Sequence, residues 1–149
     1  MKFLDANIFI YAYYKPQGKL NEREFAMKEE AKKIVSSISI GEEKVLTTVV
    51  HISEIVNILK NGMPKDVLAR TILGLFMLDN VTILDVTKDE YFAAVAVGDD
   101  LSLEPNDALA VDVMRQNDVT EIYSFDQHFN KVSGITRLPT DESSWLTES

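Results

Sequence analysis

The feature that most constrains the fold is the alternation of short apolar runs with longer segments of helical periodicity. Runs of strand length lie at 2–5, 45–48, 81–86, 121–125 and 135–138. Parallel pairing requires a crossover of a dozen or more residues between strands, which a tight hairpin cannot supply. The alternation therefore predicts an α/β fold with a central, mostly parallel sheet.

Helix start and stop signals lie between these runs. The residues Thr87-Lys88-Asp89-Glu90 have the form of a capping box, which predicts that a helix begins there. Asn61-Gly62 ends one helix and Pro64 opens the next. The predicted helices are 8–14, 21–40, 49–59, Pro64 to about Leu78, one starting after Thr87, and 105–117.

Length and composition indicate an ordinary globular protein. The chain has 149 residues, 46% of them apolar and 26% charged, and no cysteine. A chain of this length can bury roughly 70% of its unfolded surface in a single core. No Pro/Gly/Ser linker divides the sequence, so we predict one domain over residues 1–149. The composition excludes a disulfide scaffold and a disordered chain.

No apolar stretch approaches the roughly 20 residues that cross a bilayer. Asp5 interrupts the start, where a signal peptide has its apolar core, so we expect a cytoplasmic protein without a membrane partner. The net charge of -9 argues against general, sequence-independent binding of nucleic acid, which depends on basic patches. It does not exclude a nuclease, because the active site of such an enzyme can itself be acidic.

Two predicted strands end in an acid. Asp5 closes the first run, and Asp126 follows the run at 121–125. An ionised carboxylate in so apolar a segment is costly unless a cation, a helix N-terminus or hydrogen-bond donors compensate it. Because parallel strands end at the same edge of a sheet, both acids are expected there. A simple helix cap is the alternative interpretation of each.

Two further acids are predicted near this edge by their positions on helices. Glu54 lies in the early turns of the helix at 49–59, beside its apolar stripe. Asp107 lies in the first helical turn behind Pro105. A surface glutamate is the alternative for the first, and a favourable interaction with the helix dipole is the alternative for the second.

If these four acids share one pocket, they repel one another. A pair about 5 Å apart costs roughly 3 kcal/mol at an effective dielectric of about 20. Divalent cations or shared protons must offset this repulsion. Oxygen ligands favour Mg²⁺ or Mn²⁺ over zinc. His51 and His128 lack zinc-like spacing, so we expect His51 to pack near a strand–helix junction and His128 to lie in a loop, neither as a ligand. Bound Mg²⁺ favours phosphodiester hydrolysis.

Four segments resemble the signatures of the PIN-domain nucleases, in the right order and over nearly the whole chain. They are FLDANIFIY at 3–11, SEI at 53–55, NDALA at 106–110 and SFDQHF at 124–129. In size the chain resembles the single-domain VapC-like toxins of toxin–antitoxin pairs. The resemblance implies a three-layer α/β/α sandwich with about five strands. It also implies an Mg²⁺- or Mn²⁺-dependent endoribonuclease for single-stranded RNA, often a homodimer, that an antitoxin inhibits.

The resemblance also implies roles for individual residues. The acids that would hold metal and carry catalysis are Asp5, Glu54, Asp107 and Asp126. The residues that would orient these carboxylates and their waters are Asn7, Thr48 and Ser124. Ser124 stands where many relatives carry threonine, and it keeps the hydroxyl.

Substrate contacts are less specific in the sequence. Candidate phosphate ligands are Lys15, Lys19, Arg23, Lys60 and Lys65, with solubilising surface residues as the alternative. Tyr11, Tyr13 and Tyr14 are candidates for stacking on bases, with a core or interface role as the alternative.

Two other functions are consistent with parts of the sequence. One is a catalytically weak PIN-like module that binds or processes RNA through a protein partner. The other is a phospho-acceptor receiver domain, which needs an acidic pair after the first strand, whereas here Asp5 is followed by Ala6 and Asn7. The nuclease is the function that we predict.

Overall fold

A computed structural model describes residues 1–13 and 19–139 of the chain. Within these residues, five strands alternate with six α-helices and one short 3₁₀ helix. The strands are β1 Lys2–Leu4, β2 Val45–Thr48, β3 Val81–Leu84, β4 Glu121–Tyr123 and β5 Thr136–Leu138. The α-helices are α1 Ala6–Tyr13, α2 Glu22–Ser39, α3 Val49–Leu59, α4 Lys65–Met77, α5 Lys88–Asp100 and α6 Pro105–Gln116. The 3₁₀ helix is Gln127–Lys131.

The sheet is parallel throughout, with the strand order β3, β2, β1, β4, β5. β1 is the central strand, with β2 and β3 on one side of it and β4 and β5 on the other. The strand order therefore reverses between β1 and β4. Ligands of open parallel sheets bind beyond the carboxyl ends of the strands at such a reversal.

Neighbouring residues of the central strands pack on opposite faces of the sheet, because side chains alternate along a strand. Leu4 and Val45 join a core that includes residues of α1, α2, α3 and α4. Phe3 and Leu46 join a second core that includes residues of α5 and α6. Two helical layers thus enclose the sheet, and the predicted three-layer α/β/α sandwich with a parallel sheet of five strands is confirmed.

Polar side chains start several helices where the sequence predicts them. Asn21, Thr48 and Thr87 each accept a hydrogen bond from the backbone N–H three residues later. Pro105 occupies the first turn of α6, where its missing N–H costs nothing. These caps place the start of α3 directly at the end of β2, and α6 begins with the segment that carries Asp107.

Three strands end earlier than predicted, β1 at Leu4, β3 at Leu84 and β4 at Tyr123. After β1 the backbone turns into helix at once, because the Ile8 N–H already donates to the carbonyl of Asp5 at 3.3 Å. No helix in the described part of the chain is long and apolar enough to cross a membrane. The interpretation of residues 1–149 as one domain stays a prediction.

Candidate metal centre

A cavity of about 400 Å³ lies beyond the carboxyl ends of the central strands. Its lining residues are Asp5, Asn7, Glu54, Tyr91, Glu104, Pro105, Asn106, Asp107 and Asp126. The structure thus brings the four acids named from the sequence to one cavity. They come from four places in the chain: the end of β1, helix α3, the first turn of α6 and the segment after β4.

Asp5 is buried, with only 4% of its surface exposed. Its Oδ1 accepts a hydrogen bond from the Ala6 N–H at 2.8 Å, and its Oδ2 accepts one from the Ser124 hydroxyl at 2.7 Å. Burial raises the pKa of Asp5 to about 7; the Ser124 hydrogen bond opposes this rise, and the negative charge of Glu54 adds to it. Asp5 therefore accepts a hydrogen bond from the first residue of α1 and also lines the acidic cavity.

Ser124 links the ends of β1 and β4. Besides donating to Asp5, its buried hydroxyl accepts hydrogen bonds from Asn7 Nδ2 at 3.3 Å and from the Asp126 N–H at 3.0 Å. Asn7 in turn accepts from the Phe125 N–H through Oδ1 at 3.2 Å. Ser124 and Asn7 therefore contact the segments that carry Asp5 and Asp126, which suits the orienting role expected of them.

Asp126 begins the 3₁₀ helix that leads away from the cavity. Its Oδ1 accepts a hydrogen bond from the His128 N–H at 2.9 Å and lies 2.8 Å from the ring Nδ1 of the same residue. One ligand atom each of Asp107, Asp126 and His128 lies within 4.8 Å of the other two. His128 thus lies in a short helix, not in a loop as predicted, because the Asp126 cap turns the backbone immediately after β4.

Asp107 carries the strongest sign of crowded negative charge. Partial burial, the charges of Asp5 and Asp126, a hydrogen bond with Asp126 and the charge of Glu104 together raise the pKa of Asp107 to about 8. The favourable dipole at the start of α6 is therefore not enough to explain why an acid is partly buried here.

Glu54 is held by two residues that sequence reasoning missed. Its Oε1 accepts a hydrogen bond from Asn106 Nδ2 at 2.8 Å, and Asn106 Oδ1 accepts one from the Tyr91 hydroxyl at 2.5 Å. The sequence could have identified Asn106, because it is adjacent to Asp107. Tyr91 has no such signal, because only the packing of α5 on α6 brings it to the cavity.

Thr48 contacts a histidine and none of the four acids among the described residues. Its Oγ1 lies 2.7 Å from Nδ1 of the buried His51, whose Nε2 lies 3.1 Å from the backbone carbonyl of Asn106. A carbonyl only accepts, so Nε2 carries the ring proton and Thr48 donates to Nδ1. Burial lowers the pKa of His51 to about 4, so the ring is neutral at pH 7. Thr48 is therefore connected to the cavity through His51 and the backbone of Asn106.

The basic residues proposed as phosphate ligands do not line this cavity. Lys19, Arg23, Lys60 and Lys65 are absent from its lining, and Lys15 lies outside the described residues. Their proposed role stays a prediction.

The candidate stacking residues pack against other aromatic rings. Tyr11 contacts the edge of Phe125 and Tyr13 stacks on Phe9, with ring centroids 5.2 and 5.3 Å apart. Tyr14 lies outside the described residues. Tyr11 and Tyr13 are not among the lining residues of the acidic cavity either.

The donor set fits a hard divalent cation. The lining residues offer carboxylate and amide oxygens and include no lysine or arginine, so no cation of the described residues neutralises these acids inside the cavity. The raised pKa values of Asp5 and Asp107 show that their charged forms are disfavoured without one. Such oxygen-rich sites suit Mg²⁺ and Mn²⁺.

Comparisons with known proteins agree with this fold. The PIN domain family matches residues 2–135. A search of curated proteins found no significant match. The chain is similar in structure to a toxin–antitoxin complex from Klebsiella pneumoniae, with a TM-score of 0.62, 17% identity and coverage of 91% of this chain and 96% of that one. It is also similar to VapC20 of Mycobacterium tuberculosis, described as a toxin that cleaves the sarcin-ricin loop, with a TM-score of 0.63, 20% identity and coverage of 85% and 90%.

Proposed function

Since the chain belongs to the PIN domain family, we propose that it is a divalent-metal-dependent nuclease that hydrolyses phosphodiester bonds of single-stranded RNA. One observation carries the proposal: four carboxylates from four separate parts of the chain line a single cavity at the reversal in strand order. A helix cap explains Asp126 alone, but it does not explain why all four acids line the same cavity.

The residues that would hold the metal are Asp5, Glu54, Asp107 and Asp126. Held there, Mg²⁺ or Mn²⁺ would supply a water of lowered pKa and would offset negative charge on the substrate phosphate. The chain itself positions its carboxylates: Ser124 orients Asp5, and the His128 N–H orients Asp126.

Hydrolysis by water, without a covalent intermediate, agrees with the other lining residues. Among the described residues, the lining includes no serine, threonine, lysine or histidine that would serve as a nucleophile. Tyr91 carries the one hydroxyl in the lining formed by the described residues, and it donates a hydrogen bond to Asn106. In the proposed reaction a phosphorus–oxygen bond forms to water while the bond to the leaving ribose oxygen breaks, and that oxygen takes up a proton.

The biological setting is proposed by analogy with the similar structures. One is a toxin–antitoxin complex and the other is a toxin that cleaves the sarcin-ricin loop. We propose that this chain is likewise the toxin of such a pair, with a protein antitoxin as its partner. The homodimer and the cytoplasmic location expected from the sequence stay predictions.

The test is cleavage of an unstructured RNA oligonucleotide with Mn²⁺ supplied, compared between the wild type and Asp107→Asn. We expect the variant to lose cleavage by about 100-fold or more, because a carboxylate near the metal is gone. Asp112→Asn is the matched control. Asp112 lies on the same helix outside the cavity lining, and its side chain accepts a hydrogen bond from Gln116 on the same helix. Its substitution is therefore expected to leave cleavage unchanged.

The outcomes of this test distinguish a nuclease from a catalytically weak RNA-binding module. Equal cleavage by Asp107→Asn and the wild type would remove the catalytic assignment. Absence of cleavage by the wild type with Mn²⁺, together with retained RNA binding, would favour the catalytically weak RNA-binding module instead.

A further inference from the structure

Asn106 and Tyr91 line the acidic cavity without being acids. Asn106 lies in the first turn of α6, and Tyr91 lies in the first turn of α5. Their side chains form a chain of two hydrogen bonds that ends at Glu54 on α3, Tyr91 Oη to Asn106 Oδ1 at 2.5 Å and Asn106 Nδ2 to Glu54 Oε1 at 2.8 Å. Three helices thus meet at one carboxylate.

The chemistry of the two partners fixes the orientation of the Asn106 amide. A glutamate carboxylate only accepts, so the amide must present Nδ2 to Glu54. The amide oxygen then faces Tyr91, whose hydroxyl donates to it. A flipped amide would place two oxygens together at Glu54, so Glu54 itself selects the orientation of the amide. The hydrogen bond that Tyr91 donates to Oδ1 then holds the Asn106 amide in that orientation.

The backbone of Asn106 is held as well. Its carbonyl accepts a hydrogen bond from Nε2 of His51, which is buried on the same helix as Glu54. Helix α3 therefore contacts Asn106 twice, once through a main-chain atom and once through a side chain. The second oxygen of Glu54, Oε2, has no hydrogen bond among the described residues and is left for a ligand in the cavity.

We propose that Asn106 is a positioning residue that holds Glu54 in place for the metal, and that Tyr91 supports it by fixing its amide. The inference rests on the proposed function, because the position of Glu54 matters only if it is a metal ligand. Residues that orient metal-binding carboxylates typically change metal affinity or activity by about 10- to 100-fold when they are removed.

The test is calorimetric titration of Mn²⁺ into the wild type, Asn106→Ala and Tyr91→Phe. We expect Asn106→Ala to weaken Mn²⁺ binding by about tenfold or more. Tyr91→Phe should weaken it by less, because Tyr91 bonds Asn106 and not Glu54 itself. Tyr123→Phe is the matched control. It also removes a tyrosine hydroxyl bonded to a glutamate, Glu43 at 2.9 Å, but it does so outside the cavity, and we expect unchanged Mn²⁺ affinity.

A double-mutant cycle with Glu54→Gln separates positioning from a general structural effect. If Asn106 acts through Glu54, Asn106→Ala will not weaken Mn²⁺ binding further once Glu54→Gln is present. An equal loss in both backgrounds would show that Asn106 merely supports the fold and would overturn the inference.

The inference and the proposed function fail in different ways. Wild-type protein that binds no Mn²⁺ would contradict both. If the wild type binds Mn²⁺ and Asn106→Ala binds it with the same affinity, the inference alone is contradicted. Melting temperatures of all variants identify any that fail to fold. If Asn106→Ala does not fold, the Mn²⁺ affinity of Tyr91→Phe, which removes a single oxygen atom, tests the inference instead.

Discussion

The hydroxyl of Ser124 donates a hydrogen bond to Oδ2 of Asp5 at 2.7 Å, although the two residues are 119 positions apart. Both are buried, and they follow the neighbouring strands β4 and β1. Hydrogen bonds to a charged carboxylate are among the stronger ones in proteins. This contact therefore offsets part of the free-energy cost of burying the Asp5 carboxylate at the edge of the cavity.

Ser124→Ala is expected to weaken Mn²⁺ binding and RNA cleavage by about 10- to 100-fold, because Asp5 loses the donor that orients its carboxylate. Titration calorimetry and cleavage rates measure the two effects. Thr47→Val is the control: it also removes a buried hydroxyl, one that bonds the Leu4 carbonyl at 3.0 Å outside the cavity lining. If both variants behave alike, the Ser124 contact is structural only.

Asp5→Asn is expected to stabilise the metal-free protein at pH 8 relative to the wild type, and less so at pH 4. The pKa of Asp5 is raised by burial from 3.8 to about 7, so the folded state binds the proton more tightly than the unfolded state. The wild type therefore loses stability as the pH rises from about 4 to 7, by up to about 4 kcal/mol from this group.

Chemical denaturation in EDTA across this pH range measures the difference between the two proteins. If the free energy of unfolding changes with pH equally in Asp5→Asn and in the wild type, the prediction is contradicted. Asp66→Asn, which changes a largely exposed acid paired with Arg70 on α4, is the control and should reproduce the wild-type slope.

Mn²⁺ is expected to raise the melting temperature of the wild type at pH 8. A ligand at 100 times its dissociation constant adds about 2.7 kcal/mol to the free energy of unfolding, or about 5–10 °C for a chain of this size. Thermal denaturation with Mn²⁺ and then with EDTA checks both the rise and its reversal. The rise should shrink strongly in Asp107→Asn, and an undiminished rise there would place the metal elsewhere.

Gly98→Ala is expected to destabilise the fold by about 1–3 kcal/mol, because a Cβ at Gly98 would overlap the Cβ of Ala108 where α5 packs on α6. Ala108 adjoins Asp107, so the helix that carries this acid would have to shift. Gly74→Ala on α4 is the matched control, since a Cβ there meets nothing within 4 Å, and it should stabilise by up to about 1 kcal/mol. Denaturant titration compares the two, and equal stability would show that α5 and α6 can separate freely.

The local elements follow from the sequence because their causes are local. The strand Val45–Thr48 and the helix Val49–Leu59 have the predicted bounds, since β-branched residues, a threonine cap and an apolar stripe all lie within a few residues of one another. The ends of β1 and β4 were less predictable. Where a strand ends depends on the pairing of its neighbours and on the turn that follows, not on its own composition.

The candidate site likewise contains some residues that the sequence identifies and others that it does not. Asp5, Glu54, Asp107 and Asp126 were identified from their positions at strand ends and helix starts, and the structure places them at one cavity. Tyr91 was not identified, because no local pattern relates it to Glu54. His128 was expected in a loop, and its contact with Asp126 depends on the 3₁₀ turn after β4.

By itself, then, the amino-acid sequence determined the order and type of the elements, the parallel sheet and the acids at its edge, because periodicity, caps and turn residues act over a few positions. Only the tertiary structure decided the strand order, the hydrogen bond from Ser124 to Asp5 and the pair of residues that holds Glu54. Those contacts join segments far apart in the chain, and their geometry is set by how the helices pack on the two faces of the sheet.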